Sequence, residues 1–123
     1  MELYDFHRWL AWFLILSNAA AGVWALAAHV VPALRVRPLW WATIVAQLSA
    51  FAIAIVGVVM LDRYGLELDQ FHALYGFSCI VAVGILYSYR GSPFVKDKVY
   101  LLYGFGSLFI MGLGIRALFL RGS

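Results

Sequence analysis

Residues 39–61 read LWWATIVAQLSAFAIAIVGVVML, an unbroken run between Arg37 and Asp62 without one charged side chain. A helix needs roughly 20 predominantly apolar residues to cross the hydrocarbon core of a bilayer, and this run supplies them. It is apolar on every face, whereas a helix at the surface of a soluble domain carries a polar stripe. Three more charge-free runs accompany it, between Arg8 and Arg35, between Asp69 and Arg90, and between Lys98 and Arg116, so that the four measure about 17 to 26 residues each. The fold expected is an all-α membrane protein. It forms a single transmembrane domain over residues 1–123, with spans near 6–31, 39–61, 70–89 and 99–120.

Composition points the same way. Hydrophobic residues make up 65% of the chain and charged residues 12%, about half the charged share of a soluble domain. The net charge of +3 does not mark a nucleic-acid binder, because the basic residues sit at helix ends and in connectors rather than in one patch. The leader up to Arg8 carries Glu2 and Asp5 against a single Arg. With the long apolar stretch that follows, this predicts a retained helix rather than a signal peptide. Cys79 is the one cysteine, so an intrachain disulfide is excluded, and its place in the third span predicts a small buried filler.

The connectors are about eight or nine residues long, which forces neighbouring spans to run antiparallel. The predicted topology is an up-down-up-down four-transmembrane-helix bundle. Pro38 suits the first turn of the second span, Gly65 is a turn residue, Asp69 is a cap for the third span, and Gly91-Ser92-Pro93 is a turn signal. Connectors one and three carry Arg35, Arg37, Arg90, Lys96 and Lys98, against Arg8, Arg63, Arg116 and Arg121 on the other side. Positive charge concentrates on the cytoplasmic face, so both termini are expected on the non-cytoplasmic side of the cytoplasmic (plasma) membrane. Tyr4, Trp9, Tyr64 and Tyr75 gather toward the end shared by the termini, and Trp40, Trp41, Tyr87, Tyr89, Tyr100 and Tyr103 toward the other. This is the arrangement of interfacial aromatic belts.

A faint internal repeat pairs the hairpins. At an offset of 65, Phe6-His7 meets Phe71-His72, Ala11 meets Gly76 and Trp12 meets Phe77. At an offset of 58, Ser49 meets Ser107, Phe51 meets Phe109 and Ala54 meets Gly112. Two related helix hairpins would produce such a pattern.

The same pairing marks the candidate cofactor-binding residues, His7 and His72. Both open odd-numbered spans and therefore share a membrane face and a depth. Two imidazoles from facing helices can ligate a b-type haem axially, with Asp5 or Asp69 available as acceptors for the second ring nitrogens. Small neighbours would make room for the macrocycle, and Ala11 and Gly76 lie one turn beyond each histidine. Trp9, Trp12, Phe71 and Phe77 would line the space or fill it. A haem there implies electron transfer, with a quinone as candidate partner. The competing reading makes both histidines interfacial. His29 lies about 33 Å from His7 along the first span, and is expected near the Arg35–Arg37 connector as an interfacial polar residue.

Asn18 and Gln47 sit in apolar spans at depths that differ by only about 3 Å, which predicts a hydrogen bond between them. Arg116 is expected to snorkel to the headgroups, the alternative being a pairing with Asp5, Asp62 or a haem propionate. Ala46, Ala50 and Ala54 form one small-residue face, Ala20, Trp24 and Ala28 line another, and Gly104, Gly106, Gly112 and Gly114 open the fourth span to close packing.

No His-Glu-x-x-His, glycine-rich phosphate loop or Ser-His-Asp set occurs, and short connectors build no cleft, so an enzyme is not expected. The leading functional expectation is an accessory or assembly subunit of a larger membrane complex. Its partners would be lipids and other membrane subunits, or a second copy, and not nucleic acid. The rival is a haem b electron-transfer protein using His7 and His72. The four-helix, paired-histidine plan resembles that of membrane cytochromes such as the haem A synthase and cytochrome b561 groups. Ligands in those groups are more numerous and lie within the helices, and the chain is assigned to neither.

Overall fold

The structure, a computed structural model, describes residues 3–65, 70–90 and 92–120. Four α-helices account for most of them: α1 (Leu3–Val30), α2 (Arg37–Tyr64), α3 (Gln70–Tyr89) and α4 (Val99–Leu120), with short 3-10 segments at Pro32–Leu34 and Pro93–Lys98. Each of the four is long and apolar enough to cross a membrane.

The helix limits follow from local chemistry. Pro38 stands in the first turn of α2, where its missing N–H would have found no helical partner. α2 runs through Asp62 and Arg63 and stops at Gly65, whose φ of 63° is left-handed, a conformation glycine adopts without strain. At 28 residues α2 is about 42 Å long, longer than a hydrocarbon layer of roughly 30 Å. α1 ends against Arg35, whose Nε donates to the Ala28 carbonyl at 2.7 Å and whose Nη2 donates to the His29 carbonyl at 2.8 Å. Those carbonyls belong to the last turn and have no partner within the helix. Asp69, the expected cap of α3, lies outside the described residues, as do Glu67, Gly91 and Arg121.

Packing is uneven. α1 is clasped by both α2 and α4, α3 rests on α4, and only a sparse seam joins α3 to α2, so that α1 and α3 stand at opposite corners. Glycines set the close approaches. A β-carbon at Gly104 would fall 2.5 Å from Leu26 Cδ2, one at Gly114 would fall 2.6 Å from Leu14 Cδ2, and one at Gly22 would fall 2.9 Å from Leu108 Cγ. Gly106 admits Leu86 in the same way on the α3–α4 side. Gly112, by contrast, faces open space.

Ala46 and Ala50 are fully buried in α2, as the small-residue pattern predicted. On α1 the buried face is Ala21, Ala25 and Ala28. Ala20 turns outward, which corrects the expected Ala20–Trp24–Ala28 face by one residue of helix rotation.

Asn18 is fully buried. Its Nδ2 donates to Leu14 O at 2.9 Å and crosses to α2 to reach Ala46 O at 3.3 Å. The expected bond to the Gln47 side chain is not made. Among the described residues, Asn18 Oδ1 and Gln47 Nε2 are buried without hydrogen-bond partners. At the far end, the Trp40 ring lies 5.3 Å from both Tyr100 and Tyr103, and the Arg35 guanidinium stands 5.0 Å above Tyr100. His29 is half-buried there, with its Nδ1 unpartnered among the described residues.

Candidate cofactor site

The site is built by all four helices at the end where α1 and α3 begin. α1 contributes His7, Arg8, Ala11 and Leu14, and α3 contributes His72, Ala73, Gly76 and Cys79. α2 adds Ala54 and Gly57, and α4 adds Gly114 and Ala117. They enclose a cavity of about 320 Å³, at the lower end of the roughly 300 to 1,000 Å³ range of small-molecule sites. The wall is mostly alanine, glycine and aliphatic side chains.

His7 and His72 approach one another across this cavity from opposite corners of the bundle. Their ring centres are 6.0 Å apart and their planes are inclined by 44°. Metal–imidazole bonds of about 2.0 Å on opposite sides of one ion place two ring centres roughly 6 Å apart, so the separation suits a shared metal.

The tautomer of His72 follows from its neighbour. Its Nδ1 lies 2.8 Å from the Ala117 carbonyl. α4 ends at Leu120, so that carbonyl belongs to the last four, which lack an intrahelical donor. A proton on Nδ1 satisfies it, the second-sphere arrangement found around metal-bound histidines. Of the two carboxylates expected in this role, Asp5 is exposed and Asp69 lies outside the described residues. A main-chain acceptor on another helix leaves no mark in the sequence.

His7 is seated against α2. A β-carbon at Gly57 would stand 3.4 Å from His7 Nε2 and 3.7 Å from Cδ2. At Gly76 the space is open, with nothing within 4 Å of where a β-carbon would be. The bulky rings expected nearby separate into two groups. Trp9, Trp12 and Phe71 are exposed on the outside of the bundle, and Phe77, though exposed as well, also borders the cavity. Cys79 is buried in the wall, its Sγ 3.9 Å from the Ile110 carbonyl, as a small filler would be. Arg116 is exposed and does not line the cavity.

The chain matches no family model, no curated protein and no solved structure.

Proposed function

We propose that this chain is a b-type haem-binding membrane protein of one-electron transfer, with His7 and His72 as the axial ligands. The observation that carries the reading is the 6.0 Å spacing of the two rings across a small-residue cavity. Among the described residues no group of three or more His, Cys, Asp or Glu is placed to hold a metal ion. Two protein ligands are few for a bare ion, whereas a tetrapyrrole brings four equatorial nitrogens and asks the protein for two axial ones. The macrocycle would lie between Ala54 of α2 and Ala117 of α4, beside the open space at Gly76. Both ligands stand at one end of the bundle, so electrons would be exchanged with a partner, such as a quinone, at that one face.

The topology that goes with this reading is up-down-up-down, in the plasma membrane, with both termini on the non-cytoplasmic side. In its support, Leu14 meets Gly114 while Leu26 meets Gly104, so contacts between α1 and α4 run in reverse order along the chain. A relation between the two hairpins is supported by matched placements: Ala11 and Gly76 both border the cavity, and Ser49 and Ser107 are both buried.

The deciding experiment is an optical spectrum of protein made with ample haem supply, oxidised and then reduced. A sharp Soret band that is lost in His7→Ala and in His72→Ala is expected. A colourless protein that takes up no added haem would end the proposal.

A second reading, an accessory or assembly subunit, is favoured by one feature. Between α3 and α4 runs an open apolar groove bordered by Leu74, Val81, Ile85, Phe105 and Phe109, wide enough for a partner's transmembrane helix. Gentle solubilisation should then recover a stoichiometric membrane partner, and recovery of the chain alone in several mild detergents would count against it.

A further inference from the structure

We infer that Arg8 binds the propionate edge of the haem and thereby fixes which way the macrocycle faces; the inference rests on the haem reading above. Haem b has two carboxylates on one edge and apolar substituents on the others, so a site that holds it in one orientation must be polar at one end only. This cavity is. His7, Arg8, Leu61 and His72 form its outer end, and Leu14, Ile53, Cys79 and Ile80 its floor. From His7 to Leu14 is about 10 Å along the helix, so the floor lies well inside the apolar part of the bundle.

The histidines set the iron at the outer end, leaving half of the macrocycle to point inward and half outward. Carboxylates pointed inward would be buried among aliphatic side chains with no cation to meet them, a placement that membrane interiors strongly disfavour. They must face outward. Among the described residues, Arg8 is the one charged residue lining the cavity, and it stands exposed at its outer end. Its guanidinium keeps its charge in any setting and presents a fork that matches a carboxylate. Arg63 and Arg116, at the ends of α2 and α4 on the same side of the bundle, are not among the residues that line the cavity.

The test compares haem b with its dimethyl ester, which has the same ring and iron but capped carboxylates. Both are titrated into the detergent-purified full chain and followed at the Soret band. Wild type should bind haem at least about tenfold more tightly than the ester, the size of a charge-assisted hydrogen bond. Arg8→Gln should bind the two alike, and Arg116→Gln should keep the preference. Ester binding by Arg8→Gln reports that the variant is folded. A wild type that does not discriminate, or an Arg8→Gln variant that still does, overturns the inference while leaving haem binding intact. If wild type binds neither compound, the haem reading itself fails and the inference with it.

Discussion

Gly57 faces His7 across the α1–α2 seam: a β-carbon at position 57 would stand 3.4 Å from the imidazole Nε2. That distance is ordinary van der Waals contact, so a methyl group fits and anything larger does not. On the haem proposal, Gly57→Ala should therefore retain the Soret band. Gly57→Leu should displace the ring and weaken haem binding by tenfold or more, as about 1.4 kcal/mol of strain suffices for that. Haem titration of the two variants checks the contrast. Equal binding by both would place His7 elsewhere.

The glycines of α4 should separate by position. At Gly104 a β-carbon would lie 2.5 Å from Leu26 Cδ2 and 3.0 Å from the Leu26 main-chain nitrogen, so relief requires helix movement as well as a rotamer change. Overpacking costs about 1 to 3 kcal/mol, more than the roughly 1 kcal/mol that alanine gains over glycine in a helix. Gly104→Ala is expected to destabilise the protein. Gly112→Ala, in open space, is expected to stabilise it by up to about 1 kcal/mol. Thermal unfolding in detergent should shift in opposite directions for the two.

Asn18 and Gln47 should act independently. Asn18 spends its donor on the Leu14 and Ala46 carbonyls, and Gln47 has no part in that bond. Asn18→Leu should cost roughly 0.5 to 2 kcal/mol, the range of polar contacts between membrane helices. The double Leu variant should equal the sum of the singles within about 0.5 kcal/mol. A coupling larger than that in a double-mutant cycle would mean the two amides do meet.

Arg35 closes the end of α1. Its removal leaves the Ala28 and His29 carbonyls without their donor and takes the guanidinium off Tyr100. Arg35→Ala should cost about 1 to 3 kcal/mol. Arg35→Lys should recover only part of this, because an ammonium cannot divide its donors between two carbonyls with the same fixed geometry. The readout is unfolding of the purified protein in detergent, alongside exchange of the backbone amides near residue 28. No difference between Ala and wild type would make the contact incidental.

The four helices were legible because charge is costly in a bilayer, and Asp62, Arg90 and Lys98 therefore mark where helical runs leave it. The shared depth of His7 and His72 was legible for a related reason: rise per residue converts sequence position into height. Height is not azimuth, however. The same arithmetic matched Asn18 to Gln47, yet the Asn18 amide meets the main chain one residue earlier, at Ala46. It also gave no way to tell that Trp9 and Trp12 turn outward while Ala11, between them in sequence and on the opposite side of the helix, faces the cavity. Acceptors on the main chain, such as Ala117 O for His72, are a property of every residue and so are invisible in residue identity.

The uneven packing of α3 bears on how the protein is made. A ribosome delivers α1 and α2 first, and these already form one of the broad seams. α3 follows with His72, but its main support is α4 and its seam with α2 is sparse. Until the last helix arrives, His72 lacks the Ala117 carbonyl that orients its ring. The cavity therefore lacks its α4 wall until the last helix is made, and on the haem proposal that is the interval in which the macrocycle would enter.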